Sequence, residues 1–186
     1  TATSSQGLLY GFEMLYTVAG WCVPLVMVNV SRGRSSPITL EPDHNDILAA
    51  RDCGFLQIHC ETCQEVLDSI LMAYRIAEDE RILLPVFVNL DGFYLSFTRE
   101  PVEIPSLDDV KRFLPAYIPK HAFFKAGKPM AQGVSVLGGP IYSYFKYQMH
   151  MASMNGLEVF KEVCAEFKDI FGREYDTTEG YMLNDS

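Results

Sequence analysis

The stretch FLQIHCETCQEVLDSILMAYRIAEDERILLPVFVNL, residues 55–90, decides the fold. Phe55 to Cys60 is a short, largely apolar run of strand length. Thr62-Cys63-Gln64-Glu65 then has the form of a capping box, in which hydroxyl and carboxylate each satisfy a free N–H at a helix start. From there Val66, Leu67, Ile70, Leu71, Tyr74 and Ala77 recur at the 3.6-residue helical period, and the helix ends near Arg81, before Pro85. Val86 to Leu90 is a second continuous run, of the kind that suits a strand covered on both faces. Two such strands around one helix form a unit whose strands lie parallel and whose crossover is right-handed.

The alternation continues toward the N-terminus. Pro24 to Val30 is nearly all apolar and rich in β-branched residues, and reads as another buried strand. Before it, Leu8, Leu9, Phe12, Leu15, Tyr16 and Ala19 share one helical face, with Ser5 placed as N-cap. Thr1-Ala2-Thr3-Ser4-Ser5 reads as the tail of a strand running into that helix, with no initiator Met. The chain therefore reads as a fragment, with essential residues expected upstream. Residues 1–98 form an α/β layer with a mostly parallel sheet flanked by helices. Residues 99–140 read as an irregular connector: prolines at 101, 105, 115, 119 and 129, with Gly127, Gly133, Gly138 and Gly139, leave room for one short helix, Leu107 to Phe113. In residues 141–186 a helical pattern returns from Ile141 to Phe171, clearest at Val159, Val163, Phe167 and Ile170. A break there is expected, if anywhere, at Asn155-Gly156.

Composition excludes several function classes. Lys and Arg number 15 against 24 Asp and Glu, a net charge of −9, so there is no cationic surplus to neutralise nucleic-acid phosphates. With 48% apolar residues the chain buries an ordinary core and does not resemble a disordered segment. Val23 to Val28 and Ile82 to Leu90 are too short and too interrupted, by Pro24, Pro85 and Asn89, to span a membrane. Five cysteines at irregular spacing do not make a secreted disulfide scaffold, and no signal-peptide pattern opens the chain, which points to a reducing cytoplasm.

In an open parallel sheet, ligands bind outside the carboxyl ends of the strands, so the turns that follow the strands are where chemistry is sought. Ser4-Ser5-Gln6-Gly7 offers hydroxyls and free helix N–H groups to an anion or an electron-rich ring, or else is an ordinary cap. Ser31-Arg32-Gly33-Arg34-Ser35-Ser36-Pro37 carries the only two basic side chains of the first 50 residues, and an arginine there either clamps a carboxylate or is simply solvated. Cys60-Glu61-Thr62-Cys63 has redox spacing beside a helix N-terminus, although its second cysteine, not its first, stands at the helix start; structural thiols are the alternative. No metal ligand set is formed with Cys22, Cys53 and Cys164. Asp91-Gly92-Phe93 either orients a neighbour or caps a turn, and His44 within Asp43-His44-Asn45-Asp46 is either a chemical group or part of a helix start capped by Asp43. No glycine-rich phosphate loop, metalloprotease helix or nucleophile elbow occurs.

Several of these motifs stand in the order of a known family. Thr3-Ser4-Ser5-Gln6-Gly7-Leu8, Arg32 followed by Ser36-Pro37-Ile38, Asp43-His44-Asn45-Asp46, Arg51-Asp52-Cys53-Gly54, Ala77-Glu78-Asp79-Glu80, and Leu84-Pro85 leading to Asp91-Gly92-Phe93 resemble the alpha subunit of pyruvate:ferredoxin oxidoreductase, in the thiamine-diphosphate-dependent 2-oxoacid:acceptor oxidoreductases. The resemblance runs from the first residue to about Glu103, and more loosely to Phe171-Gly172-Arg173 and Glu179-Gly180-Tyr181, which resemble the start of the family's next domain. The Ser-Ser-Gln-Gly form is similar to the pyruvate-type branch.

The resemblance implies a pyrimidine-binding domain that grips the aminopyrimidine of thiamine diphosphate at an interface, with Ser4, Ser5 and Gln6 against the cofactor. It implies no metal on this chain; a partner subunit holds the diphosphate and Mg²⁺, and iron–sulfur clusters sit in partner subunits too. Arg32 matches the family's substrate-carboxylate arginine. The activating glutamate and a substrate-binding threonine would lie before Thr1, so the isolated chain is expected to be inactive. The implied reaction converts pyruvate and coenzyme A to acetyl-CoA and CO2, with electrons passing to ferredoxin. Partners are thus the other subunits, ferredoxin, coenzyme A and the 2-oxoacid, with no nucleic acid and no membrane. Arg34 departs from the family's usual aliphatic residue and raises another 2-oxoacid, or oxalate, as alternative substrate. A non-catalytic assembly domain docking through Ile141 to Phe171 is the rival from another class.

Overall fold

A computed structural model describes residues 1–120, 123, 125–130 and 135–180. Gly133 and Tyr181 of the motifs above lie outside the described residues. Four strands, β1 (Ala2–Thr3), β2 (Val26–Ser31), β3 (Leu56–His59) and β4 (Val86–Asp91), form one sheet in the order β1-β2-β4-β3, every pair parallel. The expected α/β architecture, a parallel sheet flanked by helices and followed by a long C-terminal helix, is what the chain adopts.

Helices cover both faces, as the strands' continuous apolar runs require. Alternation along β4 sends Val86 and Val88 to one core and Phe87 to the other, all three without exposed surface. On the Phe87 side lie α1 (Gln6–Tyr10), α2 (Phe12–Gly20) and α3 (Asn45–Ala49), contributing Leu8, Leu15, Ala19 and Ile47. On the other side lies α4 (Cys63–Ala77), contributing Met72, Ala73, Ile76 and Ala77; there α6 (Leu107–Phe113) adds Phe113, and α7 (Pro140–Phe171) adds Val159, Val163 and Phe167. A one-turn helix, α5 (Tyr94–Phe97), follows β4.

Most local readings hold. The capping box is made in full: Thr62 Oγ1 accepts from Glu65 N at 3.2 Å, and Glu65 Oε2 accepts from Thr62 N at 3.2 Å. Strand β2 begins two residues after Pro24, which has no N–H to give a ladder, and runs on to Ser31 opposite Asp91.

Three expectations are corrected. The first helix is two, because Gly11, a poor helix former, ends α1 and starts α2. Ser5 occupies the N-cap position of α1, but its hydroxyl makes no cap; it donates to Gly33 O at 3.3 Å instead. Asn155-Gly156 does not break α7, which runs unbroken for 32 residues. The Asn155 amide reaches out to Arg81 O at 3.2 Å, and Gly156 is buried where a Cβ would stand 3.1 Å from Leu56 Cδ1, so the glycine lets α7 approach the edge strand β3.

After α7 the chain turns at Gly172, whose φ is 73°, and is fastened to α4 by a buried carboxylate. Asp68 accepts from Arg173 Nε (2.5 Å) and Nη2 (2.9 Å), from Tyr175 OH (2.6 Å) and from Gln64 Nε2 (3.1 Å). Breaking one partner of a buried pair leaves the other charge uncompensated, at a cost of about 3 to 5 kcal/mol. Asp68→Asn in the full-length protein is expected to lose about 3 kcal/mol in denaturant unfolding; a loss below about 1 kcal/mol would show that the latch is idle.

Candidate functional site

The carboxyl ends of β1, β2 and β4 open on a cleft of about 200 Å³, lined by Ser4, Val30, Arg32, Leu40, Gly92, Phe93, Ser96 and Phe97. A larger cleft of about 270 Å³ lies away from these strand ends, beyond the end of α4, and its cations already meet acids: Lys120 pairs with Glu80, and Arg75 stands 3.3 Å from Glu166. Of the two, the strand-end cleft is lined by an arginine that meets no acid among the described residues.

Arg32 Nε donates to Ser4 Oγ at 2.8 Å, and that hydroxyl donates to Val30 O at 2.8 Å. The two terminal nitrogens of Arg32 have no hydrogen-bond or ion-pair partner among the described residues. A guanidinium fixed through Nε with both terminal nitrogens open is a two-pronged donor for a carboxylate. Arg34 does not line the cleft; it is exposed and acts on the Asp43 carboxylate. One residue past Ser5, the Gln6 amide is shielded from solvent at both Nε2 and Oε1 and has no partner among the described residues. An unpaired buried amide is costly, and it offers a donor and an acceptor side by side.

The register of β2 against β4 sets Ser31 opposite Asp91, which brings Arg32 beside Gly92. A Cβ on Gly92 would lie 2.5 Å from Ser31 O and 3.3 Å from Arg32 Cβ, so only glycine fits there. Asp91 Oδ1 meets His44 Nε2 at 2.6 Å, tying the segment before α3 to the end of β4. His44 is thus bonded to a carboxylate instead of standing free, and it takes the N-cap position of α3 that Asp43 was expected to hold; the Asp43 carboxylate accepts from Asn45 N at 2.7 Å, and that backbone N–H holds it below its usual range. The His44 ring lies 5.6 Å from that of His59, whose own pKa is lowered by burial and then by His44.

Beneath the cleft is a polar layer that sequence reasoning missed. Asp46, Asn29, Ser31 and Asn89 are all buried and hydrogen-bonded together. Its signal was present: Asn29 and Asn89 interrupt strand runs that are otherwise apolar, and buried amides need partners.

The thiols do not form a redox pair poised for attack. Burial pushes Cys60 up to about 11, and burial, then the Glu100 carboxylate, push Cys63 up as well, opposite to the thiolate stabilisation that a helix start gives. Among the described residues no group of three or more His, Cys, Asp or Glu stands together as a metal ligand set.

The strand ends of this parallel α/β layer thus present a two-pronged donor at Arg32 and an unpaired amide at Gln6. The chain belongs to the family described as pyruvate flavodoxin/ferredoxin oxidoreductase, thiamine diphosphate-binding, which matches residues 1–164. It is 41% identical over 186 residues to the pyruvate synthase subunit PorA of Methanothermobacter thermautotrophicus, covering 100% of this chain and 48% of that protein. It is 42% identical over 186 residues to PorA of Pyrococcus abyssi, covering 100% of this chain and 47% of the other. The ketoisovalerate oxidoreductase subunit VorA of Pyrococcus horikoshii is 38% identical over 175 residues, 94% of this chain and 44% of that one. The chain spans about half the length of the curated relatives it matches.

Two outcomes follow from this geometry. Asp91→Ala is expected to lower melting temperature and turnover together, because the carboxylate holds two turns in place; normal melting with no turnover would instead give Asp91 a chemical role. Cys60, with a thiol at about 11, is expected to react with iodoacetamide at pH 8 roughly a hundredfold more slowly than a free thiol. Labelling at the rate of a free thiol would contradict the burial.

Proposed function

We propose that this chain is the pyrimidine-binding part of a 2-oxoacid:ferredoxin oxidoreductase that converts pyruvate and coenzyme A to acetyl-CoA and CO2. The supporting observation is the Arg32 guanidinium, anchored through Nε to Ser4 and open at both terminal nitrogens in the strand-end cleft. Residues 1–98 are the pyrimidine domain and 99–140 the connector; 141–186 lead to the next domain while lending Val159, Val163 and Phe167 to this core.

Thiamine diphosphate fits the residues present: the shielded, unpaired Gln6 amide suits a ring that both accepts and donates. When bound, the cofactor supplies the carbanion stabilisation that no side chain can provide. This chain binds and orients. Arg32 clamps the 2-oxoacid carboxylate, Ser4 fixes the plane of the guanidinium, and Leu40, Phe93 and Phe97 dry the cleft wall. Diphosphate, Mg²⁺ and iron–sulfur clusters belong to partner subunits, ferredoxin takes the electrons, and the complex works in the cytoplasm, in keeping with five free cysteines. No helix among the described residues is long and apolar enough to cross a membrane.

The placement of Arg34 outside the cleft weighs against a dicarboxylate such as oxalate. A branched-chain 2-oxoacid is the second reading, favoured by the likeness to the ketoisovalerate enzyme subunit.

Removing a charge-assisted contact costs about 1.5 to 3 kcal/mol. Arg32→Ala in the intact complex is therefore expected to lower kcat/KM for pyruvate at least about tenfold, with Arg32→Lys recovering only part, since a point charge lacks the planar fork. Unchanged kinetics on every 2-oxoacid tested would remove Arg32 from the substrate site.

A further inference from the structure

Asp46 is a buried carboxylate with no exposed surface and no cation paired to it among the described residues. Four donor groups from three separate places surround it instead. Oδ2 accepts from Ser5 N at 3.1 Å and Asn29 Nδ2 at 3.2 Å; Oδ1 accepts from Ser31 Oγ at 2.9 Å and Ile47 N at 2.7 Å. A charge is costly to bury unless hydrogen bonds replace its lost water, and a core of apolar residues would fill the same space without that cost. The donors identify what the carboxylate holds: the turn after β1, the last residues of β2, and the start of α3.

The turn after β1 is also strained. Ser5 sits at φ 41°, ψ −104°, in a left-handed region that costs a residue with a Cβ and persists only where the surroundings over-determine it. Its N–H is held by Asp46 and its hydroxyl by Gly33 O, and it is wholly buried. On either side stand the two groups that face outward from this arrangement: the Ser4 hydroxyl against Arg32, and the Gln6 amide with no partner. Strain that ends in an unpaired amide serves a ligand better than it serves the fold.

We propose that Asp46 is a positioning residue for the cofactor: by bonding the Ser5 N–H it holds the β1–α1 turn in its strained form and so sets where the Gln6 amide and the Ser4 hydroxyl stand. The inference rests on the assignment of Ser4, Ser5 and Gln6 to thiamine diphosphate. Asparagine cannot replace the aspartate, because its amide would set a donor against the Ser5 N–H and Asn29 amide, or against the Ile47 N–H.

The test compares Asp46→Asn with Asp68→Asn, an equally buried carboxylate on the opposite side of the sheet, in the assembled full-length complex. Thiamine diphosphate affinity is read by calorimetry and stability by melting temperature. Asp68→Asn is expected to lower melting and leave the cofactor Kd unchanged; Asp46→Asn is expected to raise that Kd about tenfold, the loss of roughly one well-made hydrogen bond. Asp46→Ala, which takes the acceptor from the Ser5 N–H without setting a donor against it, is expected to raise Kd by a similar factor and serves if Asp46→Asn does not assemble. Equal Kd for the unsubstituted and Asp46→Asn complexes, or for the unsubstituted and Asp46→Ala complexes where only the latter assembles, overturns the inference alone. If the unsubstituted complex binds no thiamine diphosphate, the assignment of the turn to the cofactor falls, and the role of Asp46 falls with it.

Discussion

Six residues of β2 pair in parallel with six of β4, Val26 with Val86 through to Ser31 with Asp91, and this register decides which groups emerge together at the end of the sheet. A slip of β4 by one residue would send Asn89 to the face packed by α4 and leave Val88 on the face of the buried amides. It would also separate Ser31 and Arg32 from Gly92, whose missing Cβ lets the two turns touch. The apolar positions fix the register: Val86 and Val88 have one core to fill and Phe87 another. The polar ends then follow.

The arginines of this acidic protein are used in two ways. Arg173 is consumed by Asp68, and Arg81 by Asp79 and Glu162, so each serves to hold segments together. Arg32 has a different environment. Its partner is a neutral hydroxyl, which fixes direction without neutralising charge, and no carboxylate among the described residues pairs with it. A positive group held in place and left unneutralised within a net charge of −9 has the charge and direction to attract and align a small anion, as the proposed function requires.

Much of this was legible from sequence, for identifiable reasons. Residues 55–90 announce strand, capped helix and strand because each signal is local: the Thr62–Glu65 box, the helical period, and the run after Pro85. The Arg32 loop stood out because it concentrates the positive charge of the first 50 residues after a strand. What could not be read depends on distant partners. Asn155-Gly156 looks like a helix break until Arg81 O and Leu56 supply reasons to continue. His44 looks like a free chemical group until the register brings Asp91, 47 residues away, to 2.6 Å. Asp46 looked like part of a helix start, and its role needs Ser5, Asn29 and Ser31 in place at once. Only the two strand asparagines hinted at it.

The central claim is that this strand-end cleft is half of a cofactor and substrate site. The most direct test is an experimental structure of the assembled complex with thiamine diphosphate and a slowly reacting 2-oxoacid analogue. The account predicts the analogue's carboxylate within hydrogen-bond distance of both terminal nitrogens of Arg32, and the aminopyrimidine against the turn that carries Ser4 and Gln6. An analogue held elsewhere, with Arg32 paired to a carboxylate of a neighbouring subunit, would contradict it.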